Sequence, residues 1–127
     1  MTNRLAIVSV LSLVLALPTG AIATAPSEVG YTQGSLAVSD LASGRLERAE
    51  QILTPQSLED ARDPARLINI GIVYARSGRL TEARSAFLAA QRVPEEALVL
   101  SDGRETSSRV AAGEQLALLD RSSVASR

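Results

Sequence analysis

Two runs of apolar residues at helical spacing meet at a glycine in the second half of the chain. Leu67, Ile70, Gly71 and Tyr74 lie three and four positions apart, so they share one face of a helix. Leu80, Ala83, Phe87 and Ala90 define a second such face. Asp63 followed by Pro64 offers a capping carboxylate and a first-turn proline, which predicts a helix start at that point. Gly78 is expected to end this helix by taking positive φ at little cost. Gly71 and Ala83 are small where the two helices must approach, and Tyr74 and Phe87 fill the space beside them. Beyond Pro94 the pattern changes. Ala97-Leu98-Val99-Leu100 is a short apolar run, and Ser101-Asp102-Gly103 is a turn signal, so an extended segment or tight hairpin is predicted. Ser107 or Ser108 can then cap a last helix running to about Leu119, with Val110, Ala111, Leu116 and Leu119 on its apolar side.

The front of the chain has a different pattern. Met1 to Arg4 ends in a positive charge, and Leu5 to Leu17 is an apolar run broken only by Ser9 and Ser12. Pro18 and Gly20 break the run, and Ala21-Ile22-Ala23 places small residues two apart. These are the three regions of a secretory signal peptide. Thirteen helical residues span about 20 Å, against about 30 Å of hydrocarbon core, so cleavage is expected in preference to anchoring. The cut is placed after Ala23, because the alternative after Ala25 would put Pro26 next to the scissile bond. No Cys is present to carry a lipid anchor. The mature chain is thus expected to be exported, periplasmic or secreted, with no stable membrane span.

An internal echo joins the two halves. Ser43-Gly44-Arg45-Leu46-Glu47-Arg48-Ala49-Glu50 recurs as Ser77-Gly78-Arg79-Leu80-Thr81-Glu82-Ala83-Arg84, an offset of 34 residues. Leu53 maps onto Phe87 under the same shift. The second copy, Leu67-x2-Ile70-Gly71-x2-Tyr74 with Gly78, Ala83-x3-Phe87, Ala90 and Pro94, resembles the tetratricopeptide repeat, a helix–turn–helix unit of that length. Leu67 stands where Trp is typical, and the proline comes one residue early. In the first copy Ala37 and Asp40 replace the small Gly and the Tyr. The resemblance covers residues 30–97, with a degenerate copy at 30–63 and a clear one at 64–97. It implies an all-α module: two helix–turn–helix repeats, then at 98–120 a turn or short hairpin and a capping helix. Small exported bacterial chains of this family share that arrangement. Residues 24–29 and 121–127 are expected to be flexible.

Composition narrows the chemistry. There is no His and no Cys, and all thirteen cations are Arg, which removes the usual general bases, thiolate nucleophiles and soft metal ligands. Ser39-Asp40 and Ser101-Asp102 therefore lack a base to activate a hydroxyl. Net charge is −1, and Glu47, Glu50 and Glu82 interleave with Arg45, Arg79 and Arg84, a solvated face and not a nucleic-acid footprint. Glu59, Asp60 and Asp63 form the one acidic cluster, and its position at a helix start is explained by capping and dipole compensation. No enzyme activity, metal or cofactor is expected.

The resemblance also implies a concave groove lined by the first helix of each repeat. In this register the groove takes Ala65, Ile68, Ile72, Ala75 and Arg76, with Gly34, Val38 and Leu41 from the first copy. Ile68, Ile72 and Ala75 sit at i, i+4 and i+7, one stripe separate from the packing face. Family members that clamp a terminal carboxylate use Lys and Asn at such positions; Ile68 and Ile72 argue for an apolar occupant instead. Such a stripe holds a hydrophobic peptide or helix, or is covered by the chain's own terminal segment or by a second subunit. The expectation is a protein-binding scaffold of the cell envelope. Repeats stacked between chains as a homo-oligomer are the rival, and an enzyme built on carboxylates ranks below both.

Export gives the first test. N-terminal sequencing or intact mass of the extracytoplasmic protein should find Thr24 first; Met1 retained in a membrane pellet would reverse this expectation.

Overall fold

The computed structural model describes residues 25–127, so the leader at 1–23 and Thr24 lie outside the described part. Five α-helices and one hairpin follow in order: α1 (Val38–Ala42), α2 (Leu46–Leu53), α3 (Pro64–Arg76), α4 (Leu80–Arg92), β1 (Ala97–Val99), β2 (Glu105–Ser107) and α5 (Ser108–Ala125). A single 3-10 turn, Asp60–Arg62, precedes α3. The molecule is thus mostly helical, roughly as the all-α expectation had it, with one small antiparallel sheet at the place where a short hairpin was allowed for.

α3 begins where the sequence says it should. The Asp63 carboxylate accepts the Arg66 N–H, and Pro64 occupies the first turn, where its missing donor costs nothing. α4 folds back along α3 as its main neighbour. The contact is close because Gly71 has no side chain. A Cβ built there would lie 2.7 Å from Phe87 Cδ1 and nearer still to Cε1. Phe87, Ala83 and Ala90 are buried on the facing side of α4. Leu67 and Tyr74, on the same stripe, are half-buried.

Both helix-ending glycines close the same kind of turn. Arg45 N–H reaches Asp40 C=O at 2.9 Å and Gly44 N–H reaches Leu41 C=O at 3.2 Å. After α3, Arg79 N–H reaches Tyr74 C=O at 2.8 Å and Gly78 N–H reaches Ala75 C=O at 3.1 Å. These pairs are the two bonds of the Schellman motif, with φ of 73° and 77° at the glycines. α2 and α4 accordingly begin at equivalent residues, Leu46 and Leu80.

The first helical pair departs from expectation in length. α1 has five residues, because the chain before it turns at Gly30 and Gly34, both at positive φ, and at Ala37, which takes φ 54° without being glycine. Glu28 ties this loop, its carboxylate accepting the Gly34 N–H at 2.7 Å and the Leu36 N–H at 3.1 Å.

The ends of the chain also differ from expectation. Ala25–Glu28 does not fray. Ser27 N–H donates to Val99 C=O and Ser101 N–H to Ala25 C=O, both at 2.8 Å, with a bridge between Pro26 and Leu100. The segment is thereby held against the end of β1 by an isolated bridge, and Ala25 and Pro26 are buried there. At the other end α5 continues to Ala125, so residues 121–125 are helical and not a loose tail. Polar Ser122 and Ser123 do not stop it, since their hydroxyls bond back to the carbonyls of Leu118 and Asp120.

The hairpin follows its sequence signals. β1 pairs with β2 in the register Ala97–Ser107, Leu98–Thr106 and Val99–Glu105. Gly103, at φ 85°, closes the turn between the strands through its N–H to Leu100 C=O. Leu98 and Leu100 point into the core by strand alternation. Ser107 caps α5, and the buried Ser108 holds Glu96 from both sides, its N–H donating to Glu96 C=O and its Oγ accepting from Glu96 N–H. α5 packs along α4 and, over a shorter length, on α3. Ala111 and Leu119 are buried there as predicted, whereas Val110 faces solvent.

Gly71→Ala adds a methyl against a ring that has no room to move, outweighing the gain in helix propensity of about 1 kcal/mol. It should destabilise by about 1–3 kcal/mol, and Phe87→Ala by about 3–5 kcal/mol. In the Phe87→Ala background Gly71→Ala should become neutral or stabilising, because the two changes share one contact. Thermal or urea unfolding of the three variants measures this; an additive double mutant would contradict the packing.

Candidate partner-binding surface

The residues assigned to a groove are brought together, but as core. Ala65 and Ile68 are 0% exposed, Leu41 1% and Ile72 2%. Val38 and Ala75 are half-buried against them. The cover comes from the chain itself. Asn69, wholly buried and one residue past Ile68, donates its amide to Pro26 C=O at 3.2 Å and to Leu36 C=O at 2.9 Å. Arg76 donates to Leu41 C=O at 2.5 Å and so pins the end of α1 to the same side of α3. The N-terminal segment and α1 thus fill this face, which is not an open partner-binding groove but the alternative arrangement, a stripe covered by the chain's own terminal segment. The correction has a simple physical cause: a chain this short buries every apolar stripe that its own ends can reach.

With that side closed, the apolar surface left open near the repeat register lies on the other flank of α3. Leu67, Ile70 and Tyr74 of α3, Ala86 and Ala89 of α4, and Pro55 beyond α2 line a shallow depression of about 340 Å³. Glu82 and Ser85 form its rim. It opens there because α2 stops at Leu53 and the chain turns away at Pro55. Arg79 lies over the Tyr74 ring, 4.4 Å from its centre. The same guanidinium binds Glu50 at 2.9 and 3.0 Å and also pairs with Glu82. Partial burial, then the nearby Glu50, raise the Tyr74 phenol above its ordinary range. Hydrogen bonding to Arg79 lowers the Glu82 carboxyl. Arg79 thus holds both Glu50 and Glu82 beside the apolar floor, leaving a net charge of one carboxylate at its edge.

The polar candidates are spent on structure. Asp63 accepts from the Arg66 N–H and from Tyr31 O–H at 3.1 Å. Burial first, and Asp63 second, push the Tyr31 phenol well above its usual range. Asp60 accepts the Gln56 N–H and lies 3.8 Å from Arg66. Asp40 pairs with Arg45 at 2.7 Å, and Asp102 with Arg104 at 2.7 Å. Among the described residues no three carboxylates gather where a metal ion could sit, and no helix is long and apolar enough to cross a membrane. Asn69 is the residue whose role sequence reasoning missed; a lone Asn inside an otherwise apolar helical run was its signal.

No family model, no curated protein and no solved structure matches the chain.

Burial of the Ile68 stripe fixes the outcome of a charge insertion. Ile68→Asp with Ile72→Asp places two carboxylates in a dry core, where each unpaired charge costs several kcal/mol. Circular dichroism should show loss of the helical signal at 25 °C. A folded double mutant would mean that this side of α3 opens to solvent.

Proposed function

We propose that the chain is a non-catalytic, tetratricopeptide-type binding module of the cell envelope, docking a partner protein through shape and apolar contact. The observation that carries this reading is the pair of equivalent Schellman turns at Gly44 and Gly78, each followed by a helix at the same offset. Gly71 against Phe87 adds support, as the close approach of a helix pair in this repeat register. The leader-like Met1–Ala23 supports export, and the chain's want of His, Cys and Lys supports a scaffold over an enzyme.

The docking surface in this proposal is the depression over Leu67, Ile70, Tyr74 and Ala89. Its volume lies at the low end of small-molecule sites, and it is shallow, which favours an apolar side chain or two from a partner segment over an enclosed ligand. Burial on docking is worth about 25 cal/mol per Å² of apolar surface.

Ala89→Arg tests the proposal, because Ala89 is half-buried at the open edge of the depression and the longer side chain can extend into it without entering the core. Crosslinking in the intact envelope, followed by purification, should recover a partner with the wild-type protein and lose it with Ala89→Arg, while circular dichroism is unchanged. Recovery of the same partner by both proteins would remove this surface from the account.

A further inference from the structure

α5 is apolar on two opposite sides. Its inner side buries Ala111, Ala112 and Leu119. Its outer side carries Val110, Ala117 and Val124 at seven-residue spacing, with Leu118 beside them. Val110 is 53% exposed, Leu118 38% and Val124 73%. The outward positions of α2 differ, being Glu47, Arg48 and Gln51, as expected of a surface helix. Two charges interrupt the outer stripe of α5, Glu114 and Arg121, also seven residues apart, about 10 Å along the axis. They are too far apart to pair with each other, and neither is in an ion pair within 4 Å among the described residues, Glu114 interacting only at longer range with Arg104. Asp120 and Arg109, by contrast, are engaged by Arg84 and Glu95 on the α4 side.

We propose that this outer face of α5 is a self-association surface whose occupant is the same face of a second copy, packed antiparallel about a two-fold axis level with Ala117 and Leu118. The stripe is self-complementary about that point. Reversing the helix direction about a point between Ala117 and Leu118 sets Glu114 opposite Arg121 of the second copy and brings Val110 to within one residue of level with its Val124. Leu118 then meets the partner helix close to the axis. A two-fold contact repeats every interaction, so two Glu114–Arg121 bridges flank one apolar centre. Parallel packing in register would instead set Glu114 against Glu114 and Arg121 against Arg121, so the charges select the antiparallel arrangement. One helix face buries less than the roughly 1,200–2,000 Å² of a standard stable interface, so the dimer is weak and concentration-dependent. This contact is separate from the depression on α3 and α4 and does not rest on its role.

The test uses the protein expressed from the full chain and purified as the cell processes it. Sedimentation equilibrium from about 10 μM to about 1 mM should show the mass rising from one chain toward two. Glu114→Arg and Arg121→Glu each turn two attractions into two repulsions, and each should weaken association at least about tenfold. The double exchange, Glu114→Arg with Arg121→Glu, should restore it. Both positions lie on the outer side of α5, Glu114 half-buried and Arg121 exposed, so circular dichroism should match wild type for all three variants. A wild-type mass of one chain up to about 1 mM, single reversals that leave association unchanged, or a folded double exchange that stays monomeric would each overturn the proposal.

Discussion

The Asn69 amide joins α3 to two stretches of chain 33 and 43 residues before it, and the closed form of the molecule depends on that junction. Both of its amide hydrogens meet backbone carbonyls, so the side chain has one workable orientation; turning it over would set oxygen against oxygen. In a buried setting each of those carbonyls would otherwise lack a partner, at a cost of about 1–3 kcal/mol apiece. The bonds bring Pro26 and Leu36 down onto the Ile68 side of α3, while Gly71 lets Phe87 close the opposite side. α3 is thus enclosed along most of its length, and the other elements are arranged around it. A helix in that position must be apolar nearly all round, as Ala65, Ile68, Ile70, Ile72 and Val73 show.

Local signals were the legible part. Asp63-Pro64, Gly44, Gly78, Asp102-Gly103 and Ser107 each act within a few residues, and each lies where the chain turns or a helix begins. Ala83, Phe87 and Ala90 on the buried face of α4 were equally readable from spacing, whereas Leu80, at the start of that helix, is 42% exposed. The illegible parts all depend on distant partners. Three residues, Ala25 to Ser27, are too few to show a strand period, and their partner is more than seventy positions away. The Ile68 stripe reads the same whether it meets solvent, a second molecule or the chain's own beginning. Val110 and Ala111 are neighbours in sequence, so only the docking angle of α5 decides which of them is buried.

The two Schellman turns also show how equivalent positions can be put to different uses. Asp40 with Arg45 and Tyr74 with Arg79 occupy matching places. The first pair is an ion pair at 2.7 Å; the second is a guanidinium stacked on a ring. The backbone bonds are the same in both, so the turn geometry does not depend on the side chains above it. Arg79 is thereby free to reach Glu50 on α2 and Glu82 on its own helix, linking the two helical pairs across their shared boundary.

The bridge between Pro26 and Leu100 makes neighbours of the start of the described residues and a segment more than seventy positions later. A polypeptide emerges from the ribosome beginning with its N-terminus, so the segment Ala25–Ser27 appears long before the β1 edge on which it docks. α1 to α4 can form locally in that interval, but the cover over Asn69 cannot be completed until the last quarter of the chain has followed. Loops closed over such distances add little to the equilibrium cost and much to the time needed for assembly.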